Sequence, residues 1–361
     1  DSAAFNTALT QAQLGDTIEL QAGSTYTGNF VLPNKTSGSG WIVIRSSNYS
    51  LLPASGIRVS PADAPNMAKI VKTGSSSGTP TIGTDDGAHH FRLIGLEITI
   101  PQISVQTSIV DIAPRVNSGN INSQPQYIVL DRSYIHGNPI TNLSRCVVTN
   151  GMYIAVMDSY VSECHAKGID SQAIAVSNGA GPFKYVNNRL EGAGENIIFG
   201  GSDPAVQGMI PSDIEIRGNY IYTPPSWGAG MVIKPWTKKN IFELKNAQRV
   251  LLEGNILDGS WGDAQVGYAV LMKSVNQNGN CTWCSSGHIT IRYNIIRNAG
   301  AGFNLTGREG ANPHKQGPLL NHVLIEHNIL ENINVPPYTG DASIVQLLQN
   351  ADNIIFRNNT M

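Results

Sequence analysis

The 361-residue chain has few charged residues and no excess of either sign. Asp, Glu, Lys and Arg make up 14% of it and the formal net charge is -2, so nothing favours a nucleic acid or an acidic membrane surface as partner. No apolar run approaches the roughly 20 residues of a membrane-spanning helix. Helical periodicity is nearly absent beyond the first residues. The core must therefore be built from β-strands.

A repeated phrase supplies those strands. Apolar and polar residues alternate into an asparagine, as in FKYVNNRL or VLLEGNIL, which is typical of a half-buried strand followed by a turn. The asparagines recur at intervals of 31 to 39 residues, and they are Asn188, Asn219, Asn255, Asn294, Asn328 and Asn359. Degenerate copies place Leu96, Ser133 and Ser159 at the same point. The chain is a repeat protein whose insertions fall in loops.

A second apolar phrase lies between the asparagine phrases. It begins at Ser108, Gln172, Glu195, Ile241, Tyr268, Gly302 and Ser343. Coils of about thirty residues, each with two or three short strands stacked at roughly 4.8 Å, describe a parallel β-helix. We expect one elongated all-β domain over residues 1–361, with a cap over about 1–40 and regular coils over about 41–361.

The six asparagines are interpreted as structural. An inward amide at a tight corner can donate to one neighbouring coil and accept from the other, and asparagine tolerates left-handed backbone. Four cysteines are present, and we expect two disulfides, Cys281 with Cys284 in a Gly-rich loop and Cys146 with Cys164 across adjacent coils. A redox or metal role for the first pair is the alternative.

The ends suggest the setting. The chain starts at Asp1 without a methionine or a basic leader, which predicts a processed, secreted protein. The last phrase ends at Met361 without a polar cap, so we expect continuing sequence or self-association at that end.

The opening segment FNTALTQAQLGDTIELQAGSTYTGNFVLP resembles the amino-terminal coil of the pectate-lyase superfamily, in the branch of alginate lyases and chondroitinase B-like enzymes. The later copies resemble the right-handed β-helix repeats of secreted carbohydrate-active proteins. The resemblance implies a right-handed parallel β-helix with a short N-terminal capping helix. The calcium carboxylates and arginine of pectate lyases and the paired aspartates of polygalacturonases have no clear counterpart here, so function stays open.

The longest loops precede the second phrase, and they span residues 165–171, 224–239, 258–267 and 332–342. We expect them to form one wall of a groove suited to a linear polymer. In IFELKNA, Glu243 and Lys245 should face outward, with Lys273 aligned to Lys245 and Asn304 aligned to Glu243 one coil later. Two neighbouring lysines would bind a polyanion and lower one lysine's pKa, as a base requires. The alternative is a solvated surface stripe.

The candidate catalytic residues are His165, Asp170, Glu195, Lys239, Glu243 and Lys245. The candidate substrate-binding residues are Lys234, Trp236, Trp227, Trp261, Lys273 and Asn304. Aromatic faces beside charged groups suit sugars, although each tryptophan could equally cover the solenoid's flank.

Three functions fit this pattern. A polysaccharide lyase would use Lys239, Lys245 and His165 for charge and base. A glycoside hydrolase would pair Glu195 with Asp170 or with Glu243. A non-catalytic adhesive or structural protein is the third. No metal set is assigned. Calcium bound through Asp170, Glu195 or Asp263 is an alternative, but no dense aspartate run resembles a dedicated calcium loop.

Overall fold

The computed structural model describes residues 1–309 and 317–361. It has one α-helix, α1 (Ser2–Gln11), which begins where the Asp1 carboxylate accepts a hydrogen bond from Ala4 N at 2.8 Å. The helix buries Phe5 and Leu9 against the first coil and so covers that end of the core. Short 3₁₀ helices span Tyr49–Leu51, Pro61–Asn66, Ile121–Ser123 and Pro225–Trp227.

The strands form three parallel sheets, here called A, B and C. Sheet A contains β1 (Thr17–Leu20), β4 (Ile42–Ser46), β7 (His89–Ile94), β10 (Gln126–Asp131), β13 (Met152–Met157), β16 (Phe183–Val186), β19 (Ser212–Arg217), β22 (Ala247–Glu253), β25 (Ser286–Arg292), β28 (Asn321–Glu326) and β31 (Asp352–Arg357). Sheet B contains β2 (Thr25–Thr27), β5 (Ala68–Val71), β8 (Leu96–Thr99), β11 (Tyr134–His136), β14 (Tyr160–Cys164), β17 (Arg189–Gly192), β20 (Tyr220–Tyr222), β23 (Ile256–Ser260), β26 (Ile295–Ala299) and β29 (Ile329–Ile333).

Sheet C contains β3 (Phe30–Leu32), β6 (Ile82–Thr84), β9 (Val105–Ile112), β12 (Asn142–Thr149), β15 (Gln172–Val176), β18 (Glu195–Phe199), β21 (Asn240–Leu244), β24 (Tyr268–Val275), β27 (Ala301–Glu309) and β30 (Val345–Leu348). Each coil contributes one strand to each sheet in turn. The prediction of an all-β right-handed parallel β-helix with an N-terminal helix is confirmed. Because β1 already pairs with β4, the coils begin at Thr17, within the residues expected to be the cap.

One hydrophobic core runs through the stack. Ile197, Phe242, Val270 and Phe303 lie in one register column of sheet C, and all four are fully buried members of the core. The alternation seen in the sequence thus separates an inward column from the outward residues of the same strands. Among the described residues, no helix has the length and apolar character needed to cross a bilayer.

The asparagines form the predicted ladder between sheets A and B. Asn219 Oδ1 accepts from both Asn188 N (2.8 Å) and Asn188 Nδ2 (3.0 Å), and the pattern repeats coil by coil to Asn359. It continues toward the N-terminus through Ser159, whose N–H donates to Asn188 Oδ1 at 2.9 Å.

The backbone part of that prediction is wrong. The left-handed residue at each corner is the one before the ladder residue, for example Asn187 (φ 56) and His327 (φ 54). The ladder asparagines themselves do not have a positive φ. Their recurrence at the same point of each phrase is therefore explained by the hydrogen bonds of their side chains.

Both expected disulfides are present. Cys146 in β12 bonds Cys164 in β14, and Cys281 bonds Cys284 within the loop after β24. All four sulfurs belong to buried residues, so these are structural crosslinks rather than an exposed redox pair.

Candidate functional site

The connections from sheet B to sheet C gather on one side of sheet C, as the sequence predicted. They span residues 165–171, 223–239, 261–267 and 334–344. Backbone hydrogen bonds join them, since Thr237 N donates to Ala166 O (3.0 Å) and Gly262 N donates to Thr339 O (2.7 Å). We call this continuous surface the B–C wall.

Connections from sheet C to sheet A form a second wall on the other side. Residues 200–211 and 276–285 are joined through Asp203, whose carboxylate accepts from Asn278 N (3.1 Å) and Asn280 N (3.0 Å). The outward face of sheet C is therefore the floor of a groove that follows the solenoid axis. One cavity of about 370 Å³ includes Arg145, and another of about 570 Å³ includes Lys273.

Strand register sets the order of side chains along the floor. Arg145, Gln172, Glu195 and Asn240 occupy one column on successive strands. Glu243, Leu271 and Asn304 occupy the next column, which confirms the predicted alignment of Asn304 with Glu243. Lys273 lies two residues after Leu271.

A compact set of charges lies at the middle of the groove. Lys239 Nζ is 2.5 Å from Asp170 Oδ1 and 3.6 Å from Glu195 Oε1. Glu243 Oε1 is 3.5 Å from Lys245 Nζ and 3.8 Å from Lys273 Nζ, and Lys273 also contacts Glu309. We call the set of Asp170, Glu195, Lys239, Glu243, Lys245 and Lys273 the lysine–glutamate cluster.

Burial controls protonation in this cluster. Glu195 is fully buried, and desolvation, helped by the charges of Glu243 and Asp170, raises its pKa to about 8. Burial also opposes the charged form of Lys239, but Glu195 and Asp170 outweigh it and the pKa of Lys239 is raised. The ion pair with Asp170 favours the charged form of Lys239.

Several buried oxygens on the floor have no hydrogen-bond donor within the described residues. They are Gln172 Oε1, Glu195 Oε1, Asn240 Oδ1 and Glu243 Oε1. The other oxygen of each glutamate is bonded, since Gln172 Nε2 donates to Glu195 (2.7 Å) and Asn240 Nδ2 donates to Glu243 (2.9 Å). The floor therefore places buried acceptor oxygens beside the lysine side chains.

The calcium alternative does not fit this arrangement. Asp263 belongs to the B–C wall, where it accepts from Lys238 N at 2.9 Å, and Asp170 is taken by Lys239. Lysine ammonium groups occupy the space around Glu195 and Glu243 that a cation would need. In residues 1–309 and 317–361, no group of three His, Cys, Asp or Glu side chains is arranged to hold a metal.

His165 is not part of the cluster, which corrects its assignment as a catalytic candidate. Its ring is fully buried, stacked on Trp236 at 3.8 Å and edge-on to Trp227 at 5.0 Å. Its Nε2 lies 2.8 Å from Glu163. A ring covered in this way cannot reach a substrate on the floor.

The expected sugar-stacking tryptophans also belong to the wall. Trp227 and Trp261 are only 7% and 2% exposed and pack with Ala193, so they stabilise the loops rather than offer ring faces. Lys234 Nζ donates to Gly262 O at 2.6 Å and pairs with Asp263. Trp236 keeps part of its surface exposed above His165, so it remains a candidate contact.

Two floor-side residues, Lys238 and Arg145, are not among the candidate site residues of the sequence analysis. Lys238 is buried behind the cluster, where its Nζ donates to Thr223 Oγ1 (2.9 Å) and Asn240 O (2.7 Å) and burial lowers its pKa to about 7. Arg145 lines the groove one column from Glu243. Neither carries a sequence signal, because a lysine pair before a strand and an isolated arginine both occur on ordinary surfaces.

No protein-family model and no curated protein sequence matches the chain. Among the solved structures that superpose over nearly all of it are two polysaccharide lyases. An alginate lyase from Paenibacillus sp. str. FPU-7 has 15% sequence identity, covers 98% of this chain and 97% of its own, and gives a TM-score of 0.58. Pectate lyase Pel9A has 13% identity, covers 98% of this chain and 73% of its own, and gives 0.55. The chain thus has the parallel β-helix fold that these two polysaccharide lyases share.

Proposed function

We propose that this protein cleaves an acidic extracellular polysaccharide by β-elimination in the groove of sheet C. The observation that carries the proposal is the lysine–glutamate cluster, which places the Nζ atoms of Lys239, Lys245 and Lys273 at the middle of an open trough. A trough of stacked coils suits a linear chain, and ammonium groups suit its carboxylates.

Each lysine has a separate role in this proposal. Lys239, whose pKa is raised, faces the uronate carboxylate and neutralises it, which makes the C5 proton more acidic. Lys245 accepts that proton on its Nζ. The electron pair forms the C4–C5 double bond, the C4–O bond breaks, and Lys273 protonates the departing oxygen.

The contacts support the choice of Lys245 as base. Its Nζ has a single ion-pair partner among the described residues, Glu243 at 3.5 Å, and no side-chain hydrogen bond. Lys239 is held at 2.5 Å by Asp170, and Lys273 contacts two carboxylates. Lys245 is therefore the least restrained of the three and the freest to approach a substrate proton.

Hydrolysis fits the cluster less well. A glycoside hydrolase needs two carboxyl groups on either side of the scissile bond. Here Glu195 and Glu243 are both fully buried, and Lys239 lies between Glu195 and Asp170. The space that a glycosidic bond would need between the carboxyls is filled by ammonium groups.

An extracellular location belongs to the same proposal. Two buried disulfides persist in oxidising compartments and are uncommon in the cytosol. Long polysaccharides are also found outside cells, where a groove open along its length could bind them.

A substrate panel tests the proposed function. The protein is incubated with alginate, polygalacturonate, chondroitin sulfate and heparan sulfate, and absorbance at the unsaturated-uronate band is followed beside a reducing-sugar assay. Elimination predicts that both signals rise together on at least one polymer. Reducing sugar without the absorbance would indicate hydrolysis, and binding without either signal would indicate an adhesive protein.

A further inference from the structure

We propose that Arg145 binds a second carboxylate of the same polysaccharide, on a sugar that flanks the one held by the lysine–glutamate cluster. This inference rests on the proposed function for the identity of the ligand as a polyuronate. It concerns a part of the groove that the reaction itself does not use.

Arg145 lies on the groove floor in line with the lysine–glutamate cluster. Arg145 in β12 shares a register column with Gln172 in β15 and Glu195 in β18. Two strand spacings separate Arg145 from Glu195, which is roughly 10 Å along the groove axis. Arg145, Asp170 and Gln172 line the same cavity of about 370 Å³, so this cavity opens directly onto the lysine–glutamate cluster.

The guanidinium of Arg145 is available to bind a ligand. Within residues 1–309 and 317–361, the side chain of Arg145 has neither a hydrogen bond nor an ion pair, whereas Arg92 bonds Asp131 at 2.6 Å and Arg292 bonds Glu253 at 2.5 Å. A guanidinium presents donors in a planar fork that matches a carboxylate. In Arg145 that fork is unused and faces a cavity.

The two nearby aspartates, Asp111 and Asp170, do not bind the guanidinium of Arg145. Asp111 accepts from Ser108 Oγ at 3.2 Å, and burial raises the pKa of its carboxyl although the charge of Arg145 opposes the shift. Asp170 is bound by Lys239. An incoming carboxylate would therefore meet a guanidinium that neither aspartate neutralises by direct contact.

Two separated cationic points imply a ligand with carboxylates at more than one position along its chain. Lys239 and Arg145 would be satisfied together by a polymer whose uronates recur within roughly 10 Å along the chain. A polymer with an isolated uronate would satisfy only one of them. The structure thus assigns Arg145 to substrate selection and length dependence rather than to proton transfer.

The test compares Arg145→Met, which removes the charge, with Arg145→Lys, which keeps charge but loses the fork. Arg249→Met is the matched control, because Arg249 is exposed on sheet A and away from the groove. Affinity for alginate and for polygalacturonate is measured by calorimetry at pH 7, and KM and kcat are measured on whichever polymer is cleaved.

We expect Arg145→Met to weaken binding and raise KM at least tenfold with little change in kcat, since the loss of a charge-assisted hydrogen bond costs about 1.4 kcal/mol or more. The affinity and KM of Arg145→Lys should lie between those of the wild type and Arg145→Met. Those of Arg249→Met should match the wild type. Unchanged affinity in Arg145→Met, or no binding of either polymer by the wild type, overturns the inference. Arg145-dependent binding without cleavage would support it and contradict only the proposed lysis.

Discussion

At the scale of single residues, Glu195 shows how burial changes chemistry. Its carboxyl is fully buried on the groove floor beside Glu243 and Asp170, and its pKa is raised to about 8 from the ordinary 4.5. The folded protein therefore binds a proton here that the unfolded chain releases between these values. Stability contributed by protonated Glu195 is present below about pH 4.5 and is lost as pH rises toward 8.

Replacing Glu195 with glutamine should remove that dependence. The amide can keep a polar contact with Gln172 but cannot ionise, so the variant should gain in melting temperature relative to the wild type as pH rises from 5 to 8. Thermal unfolding at one-unit steps of pH measures this. Glu331→Gln, at an exposed site on sheet B, is the control. If melting temperature changes with pH in parallel for the wild type and Glu195→Gln, the raised pKa of Glu195 is contradicted.

Lys245 carries the proposed proton transfer. Lys245→Met should lower kcat about 100-fold or more, because general base catalysis contributes roughly 10²–10⁴-fold. Polysaccharide affinity should fall far less, since Lys239 and Lys273 still face the ligand. Lys184→Met, at an exposed position on sheet A, should behave as the wild type. A Lys245→Met variant that retains wild-type kcat would show that another residue is the base.

At the scale of elements, the asparagine ladder fixes the corner between sheets A and B. Asn255 Oδ1 accepts from Asn219 N and Nδ2, both at 2.9 Å, and Asn255 Nδ2 donates to Ile216 O at 2.9 Å. Each of these partners is buried in the stack. Removing the amide leaves them without a bond in a place that water does not reach.

Asn255→Ala should therefore destabilise the protein by about 2 to 4 kcal/mol, because several buried groups lose their partners at once. Urea unfolding followed by circular dichroism measures the loss. The exposed Asn278, which contributes its backbone N–H to Asp203, provides the control Asn278→Ala. Equal stability of the two variants would show that the ladder is dispensable.

The sequence predicted elements better than loop side chains, for a physical reason. Alternation and the ladder asparagines follow from strand geometry, so β16, β19, β22, β25, β28 and β31 were found with their register. For Trp227, Trp261 and His165 the sequence leaves packing and substrate contact both open, because an apolar ring in a loop packs equally well on a neighbouring loop as on a sugar. Only the folded B–C wall shows which of these rings pack on a neighbouring loop and which are left to contact a sugar.

At the scale of the whole molecule, the solenoid turns distant residues into neighbours along one trough. Asp170 and Lys239 are far apart in sequence but 2.5 Å apart in space, because coils of β15 and β21 stack on either side of β18. Of the candidate catalytic residues, Asp170, Glu195, Lys239, Glu243 and Lys245 therefore lie together in the groove, and His165 does not. Their catalytic roles stay a prediction.

Ionic strength offers a test of the groove as an electrostatic binding site. Arg145, Lys239 and Lys273 lie along the floor, so affinity for a polyuronate should fall steadily as salt rises from about 0.05 to about 0.5 M, a range over which the Debye length shortens about threefold. Calorimetric titration across that range measures it. Affinity that is independent of salt would indicate a site dominated by apolar stacking instead.

The measurement that bears most directly on the proposed elimination is the mass of the products from a purified oligouronide of the polymer that the protein cleaves. Elimination predicts two fragments whose masses sum to that of the substrate, one of them carrying the double bond. Fragments whose masses sum to the substrate plus one water would show hydrolysis and contradict the account.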